Sequence, residues 1–129
     1  MNFVSPELNI HEIKLIDSNR IALHFKFIGK FTQQTSIAGS RAWTQFMDEN
    51  PPKEFEFVWD CTEMTGFELS ARKEWYNAMQ GYKHRIAKAY VISEKIMIRS
   101  AAKVMLQLFN IPSKVYKSGE ELPKAIQHS

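Results

Sequence analysis

The sequence has very little cysteine and no glycine-rich motif. Cys61 is the single cysteine in 129 residues, which excludes an internal disulfide and a zinc site built on several cysteines. The five glycines are scattered, and none belongs to a phosphate-binding loop or a dinucleotide fingerprint. No two histidines have the spacing of a metal site. We therefore expect no metal ion and no cofactor.

Long hydrophobic runs are also absent. No stretch reaches the roughly 18 apolar residues that a membrane-spanning helix needs. The first residues lack the basic region and apolar core of a secretory signal. These absences predict a cytoplasmic protein without a membrane span. The 44% hydrophobic and 12% aromatic content is typical of a folded protein, and the length predicts a single domain over residues 1–129.

Charge is unevenly distributed along the chain. Residues 1–68 carry a net charge of −4 and residues 69–129 carry +7, which together give the +3 of the whole chain. Lys95, Arg99 and Lys103 are spaced by four and form one stripe of a predicted helix. Nearby aromatic residues are predicted to face inward, whereas single-strand binding usually needs exposed aromatic rings. The stripe is therefore interpreted as a solvated helix face, and no specific nucleic-acid partner is expected.

Apolar periodicity predicts an alternation of strands and helices. Two strands at 10–16 and 20–28 form a hairpin around a turn at 17–19, and further strands are predicted at 55–59, 87–92 and 114–116. Helices are predicted at 32–47, 69–82 and 96–109, with a last one from Ser118. The order predicts an α/β fold: a mixed, mostly parallel sheet with an N-terminal antiparallel hairpin and about four helices. An edge strand near the N-terminus would permit a homodimer.

The segment between the strand at 55–59 and the helix at 69–82 is predicted to be a loop. It is the candidate functional region, since sites in α/β proteins usually follow the carboxyl ends of strands. Asp60 with Glu63 or Glu68 could form a carboxylate pair for acid–base chemistry. A turn-stabilising role for Asp60 and a favourable helix-dipole interaction for Glu68 explain these residues better. No histidine adjacent in sequence could activate Cys61. The sequence therefore predicts a non-enzymatic protein.

The C-terminal half carries a resemblance to a known family, in residues 89–93, 98–112 and 114–122. Together with the element order over 10–126, these stretches resemble a STAS domain of the anti-sigma factor antagonist type and the related SpoIIAA-like group. Trp59, Asp60 and the helix end at 75–84 are more similar to the SpoIIAA-like group. The resemblance implies a bacterial, cytoplasmic signalling module that binds a protein partner, a kinase or a regulator.

In the antagonist family, a partner kinase phosphorylates a serine at the start of the helix after the central strand. Without gaps, Ser70 occupies the acceptor position, while Leu69 and Ala71 replace the family's first serine and its glycine. The resemblance makes Ser70 a candidate phosphoacceptor, and the alternative is a serine that caps the helix. The candidate partner-binding residues are Asp60, Thr62, Glu63, Thr65, Glu68, Arg72 and Lys73.

A second function stays open, because the SpoIIAA-like group is similar in fold to lipid-binding SEC14 domains. The resemblance thus implies, as an alternative, a carrier or sensor of a small apolar ligand. Aromatic and methionine side chains could line its pocket. The candidates are Phe67, Trp75, Met79 and Met105. The same residues would also suit an ordinary hydrophobic core.

Overall fold

The structure is a computed structural model, and it describes residues 1–15, 19–51 and 53–127. These residues form one six-stranded sheet and three α-helices. The strands are β1 (Asn2–Val4), β2 (Leu8–Lys14), β3 (Arg20–Phe31), β4 (Glu54–Phe67), β5 (Ile86–Ile92) and β6 (Ser113–Tyr116). The helices are α1 (Gln33–Asp48), α2 (Leu69–Tyr82) and α3 (Ile96–Leu108), and short 3₁₀ turns are found at Lys83–Arg85, Gly119–Glu121 and Lys124–Ile126.

The strands lie side by side in chain order, from β1 to β6. β1, β2 and β3 are antiparallel, and β3, β4, β5 and β6 are parallel. Each parallel connection moves one strand in the same direction, so right-handed crossovers place α1, α2 and α3 on one face of the sheet. Trp43 of α1, Trp75 of α2 and Met105 of α3 accordingly join the same core cluster as the inward residues of the strands.

The predicted mixed sheet with an antiparallel beginning is confirmed. β2 pairs with β3 from Leu8 opposite Phe27 to Lys14 opposite Ile21, as expected for a hairpin. Ile16 and two of the three residues predicted to form its turn, Asp17 and Ser18, lie outside the described residues. Pro52, predicted to help stop the first helix, also lies outside them.

The predicted number of about four helices is wrong, because the segment from Ser118 forms two 3₁₀ turns instead of a helix. Leu122 and Pro123 between those turns are extended, and proline disfavours helical backbone at the residue before it. Leu122 and Ile126 pack against the face of the sheet opposite the helices, in a small cluster with Val58. The C-terminal segment therefore covers that face without forming a helix.

Several strands also differ from their predicted extent, and β1 and β4 differ most. β1 was not predicted, and its three residues are too few for a clear alternation. β4 was predicted to end at Trp59 but continues to Phe67, paired with the end of β3. Residues 60–67, which were predicted to lie in the loop after the strand at 55–59, therefore belong to β4.

The helix α1 approaches β2 closely at Gly39. A Cβ atom at this position would lie 2.6 Å from Cδ2 of the fully buried Leu8. In contrast, a Cβ atom at Gly81 of α2 would have no neighbour within 4 Å. Gly39 therefore permits the close contact between α1 and β2.

We expect the substitutions Gly39→Ala and Gly81→Ala to have different effects on stability. Both gain about 1 kcal/mol of helix propensity, but only Gly39→Ala meets a packed neighbour, and overpacking costs about 1–3 kcal/mol. Gly39→Ala should therefore be less stable than Gly81→Ala by about that amount in urea unfolding. Equal stabilities would show that Leu8 moves aside without cost.

Candidate functional site

A cavity of about 70 Å³ lies between the helix-covered face of the sheet and the helices α2 and α3. Of its twelve lining residues, all are apolar or weakly polar except one arginine. They are Phe27 and Phe31 of β3, Trp59, Cys61, Met64 and Phe67 of β4, Arg72 and Trp75 of α2, and Ile98, Ala101, Ala102 and Met105 of α3.

The floor of the cavity depends on irregular pairing between β3 and β4. Lys26 lies opposite Asp60 and Ile28 opposite Glu63, so β4 has one extra residue between these pairs. A second register shift occurs after Gly29, whose φ of 68° lies in the left-handed region that favours glycine. Such bulges reset the alternation of side chains along a strand. As a result, the side chains that line the floor are those of Trp59, Cys61, Met64 and Phe67.

The wall and the roof come from α2 and α3. The ring of Trp75 makes edge contacts with Phe31 and Phe27, at centroid distances of 5.4 and 5.7 Å. On α3, Ala101 and Ala102 have small side chains, so this helix leaves space above the aromatic rings. Lys95 Nζ donates a hydrogen bond to the Met64 carbonyl over 2.6 Å, which ties the start of α3 to β4.

Cys61 lies on the cavity floor as a buried thiol. Burial, with a smaller contribution from the negative charge of Asp60, raises its pKa from 9.0 to about 12. A reactive cysteine needs a thiolate, and here the thiol stays protonated at neutral pH. The side chain therefore contributes apolar surface to the cavity and is not an activated nucleophile.

Three of the four residues predicted for an apolar pocket line this cavity: Phe67, Trp75 and Met105. Met79 does not line it, and its side chain is fully buried elsewhere in the core. Nine lining residues were not predicted, among them those of β3 and Arg72. The alternation that continues from Phe27, inside the predicted strand, to Phe31, beyond its predicted end at residue 28, was a signal that could have identified the β3 residues.

The structure does not place the candidate partner-binding residues in one loop. Asp60, Thr62, Glu63 and Thr65 belong to β4. Asp60 accepts hydrogen bonds from the backbone N–H and the hydroxyl of Thr62, at 3.0 and 2.7 Å, and lies 4.0 Å from Nε2 of the buried His24. Glu63 pairs with Lys26 at 2.7 Å. The prediction of a loop between the strand at 55–59 and the helix at 69–82 is therefore wrong for residues 60–67.

The remaining candidates lie around the start of α2. The cap residue of α2 is Glu68, and Ser70 is the second residue of the helix, so the hypothesis that Ser70 is the cap is wrong. Ser70, Arg72 and Lys73 are exposed. Glu68 turns its carboxylate to the backbone N–H of Gln33, at 2.8 Å, at the start of α1.

Within residues 1–15, 19–51 and 53–127, no helix combines the length and apolar character needed to cross a membrane. The same part of the chain contains no cluster of three or more histidine, cysteine or acidic residues that could hold a metal ion.

The sheet order and the helix-covered cavity define a domain with a SpoIIAA-like fold. Among seven solved chains that match is an uncharacterized protein of the DUF3478 family from Shewanella loihica, described as SpoIIAA-like. It has 16% sequence identity and a TM-score of 0.72, and the match covers 94% of each chain. The resemblance in fold to the SpoIIAA-like group is thereby confirmed.

At the level of sequence, the model of the divergent CRAL/TRIO domain matches residues 27–128. The chain belongs to this family. Comparison with curated proteins gives no match.

The buried thiol of Cys61 gives a prediction for alkaline pH. Below pH 9 the thiol is protonated in both the folded and the unfolded chain. Between pH 9 and about 12 only the unfolded chain loses the proton, so the free energy of unfolding falls as pH rises. The Cys61 thiol alone should lower the free energy of unfolding by about 1–2 kcal/mol between roughly pH 9 and 10.5.

Urea unfolding at these two pH values should show this loss in the wild-type protein and a smaller loss in Cys61→Ala. Some loss should remain in the variant, because burial and the nearby Glu56 raise the pKa of Tyr90 to about 12. Identical pH dependence of the two proteins would contradict the assignment to Cys61.

Proposed function

We propose that this domain is a carrier or sensor that binds a small apolar molecule in the cavity between β3, β4, α2 and α3, and that it is not an enzyme. The observation that carries the proposal is the cavity itself. Its walls are aromatic rings, methionines, alanines and a neutral thiol, and ligand pockets are commonly lined in this way.

The size of the cavity supports a ligand site over a packing defect. Protein cores contain few voids larger than a water molecule. A cavity of about 70 Å³ has room for about five to seven water-sized groups, since each needs roughly 10–15 Å³. The cavity is partly open to solvent, so a small apolar molecule has a path into it. A ligand of about five to seven non-hydrogen atoms would supply the van der Waals contacts that the residues around the cavity lack.

The chemistry around the cavity supports binding without catalysis. Cys61 is protonated at neutral pH because its pKa is raised to about 12. Asp60 is engaged by Thr62 and is not among the residues that line the cavity. Membership of the divergent CRAL/TRIO family also supports ligand binding over a module that only binds proteins.

Filling the cavity should abolish ligand binding. Trp59 and Trp75 line the cavity, so their fluorescence should report binding of a neutral probe such as hexan-1-ol. Ala102→Leu adds three carbon atoms inside the cavity and should weaken binding about tenfold or more, because the probe then meets occupied space. Ala38→Leu, on the exposed side of α1, is the matched control and should bind like the wild type.

The experiment has a clear opposing outcome. If hexan-1-ol produces no saturable change in fluorescence, and isothermal calorimetry detects no heat, the cavity does not bind small apolar molecules. Equal binding by Ala102→Leu and the wild type would place the probe elsewhere.

A second candidate function is a cytoplasmic regulatory module that binds a protein partner under the control of phosphorylation at Ser70. The observation that favours it is a set of exposed apolar side chains at the starts of α2 and α3. Leu69 is 77% exposed, Ile96 71% and Met97 84%. Exposed apolar surface is typical of docking sites when it is contiguous. Ser70 lies directly beside Leu69, so a phosphate there would alter such a surface.

A negative charge at Ser70 should stabilise the domain if the position can accept a phosphate. The helix dipole is positive at the first turn, so Ser70→Asp should raise the free energy of unfolding by about 0.3–1 kcal/mol at low salt. Ser100→Asp, on the exposed surface of α3 beyond its first turn, should show no gain. A Ser70→Asp variant that loses stability in urea unfolding would show that this position disfavours the negative charge that a phosphate would bring.

A further inference from the structure

Building on the proposed function, we infer that the ligand is a short apolar carboxylate, with its tail in the cavity and its carboxylate on Arg72. Arg72 is the one charged residue among the twelve that line the cavity. It is also the only lining residue that is exposed to solvent, so the proposal places its guanidinium at the mouth and not in the apolar interior. This arrangement separates an apolar chamber from a single cationic group at its entrance.

Arg72 is available to an anion because no carboxylate of the protein neutralises it. Over residues 1–15, 19–51 and 53–127, the ion pairs within 4.0 Å include Lys26 with Glu63 and Arg20 with Glu56, but none involves Arg72. Glu68 lies one helical turn before Arg72, but its carboxylate binds the Gln33 N–H. The positive charge at the mouth is therefore unused within the described structure.

The chemistry of arginine points to a carboxylate or another planar anion. Its guanidinium presents a rigid fork of donors that matches the two oxygens of a carboxylate. The start of α2 adds to this preference, since no side chain caps it and its backbone N–H groups carry partial positive charge. A ligand that combines an apolar tail with a carboxylate satisfies both parts of the site.

The volume of the cavity limits the length of the tail. Room for about five to seven water-sized groups accommodates a chain such as that of hexanoate, or a single phenyl ring. A long-chain fatty acid is larger than this space. The site is therefore expected to select short carboxylates over long ones.

Paired titrations test the inference on the intact protein. Hexanoate and hexan-1-ol have the same number of carbon atoms and differ in charge, and both can be followed by tryptophan fluorescence and calorimetry. We expect the wild type to bind hexanoate about two- to fivefold more tightly than hexan-1-ol, which is the size of effect that an exposed ion pair gives. Arg72→Gln should remove this preference by weakening hexanoate binding much more than hexan-1-ol binding. Arg72→Lys should retain part of the preference, because it keeps the charge and loses the fork.

Lys73→Gln is the matched control, since Lys73 is an exposed neighbouring cation that does not line the cavity. It should preserve the preference for hexanoate. Equal affinity of the wild type for the two probes, or an unchanged preference in Arg72→Gln, would overturn the carboxylate assignment and leave the apolar ligand site intact. Absence of binding by both probes would overturn the ligand site together with the carboxylate assignment.

Discussion

The packing of Trp75 joins the helical layer to the sheet. Its indole contacts Phe25, Phe27 and Phe31 of β3, Trp59 of β4 and Trp43 of α1, at centroid distances between 5.4 and 6.4 Å. Aromatic rings in edge contact contribute stability beyond the area that they bury. One side of this cluster is closed by α1, whereas the other side opens to the cavity beneath α3. The same indole thus stabilises the core and forms the wall of the candidate site.

Irregular strand pairing gives the two faces of the sheet different roles. The shifts between β3 and β4 add residues to β4, so Met64 and Phe67 line the cavity beneath the helices. Meanwhile, Asp60 and Glu63 form polar contacts with Thr62 and Lys26. A regular strand would have directed the side chain of Glu63 toward the same face as Cys61, because side chains alternate. The bulges therefore keep a carboxylate out of an apolar cavity.

The start of α2 is shared by the two proposed functions. Arg72 lines the cavity and is exposed to solvent, and Ser70 lies on the exposed surface of the same helical turn. Exposed Leu69 is next to Ser70. A phosphate on Ser70 would bring negative charge close to the cation that we assign to ligand recognition. Ligand binding and phosphorylation would thus act on one surface, which suits a sensor whose partner responds to ligand.

The sequence by itself determined the layered α/β fold, because alternating apolar residues and helical spacing report which faces of each element are buried. It also indicated Phe67, Trp75 and Met105 as members of a possible apolar pocket. Only the tertiary structure decided that β4 continues through residues 60–67, since this depends on pairing with the end of β3. The cavity itself was likewise decided by packing: Ala101 and Ala102 are ordinary helix residues until α3 is placed over Trp59 and Trp75. Long-range contacts bring these elements together, and no local pattern encodes the space between them.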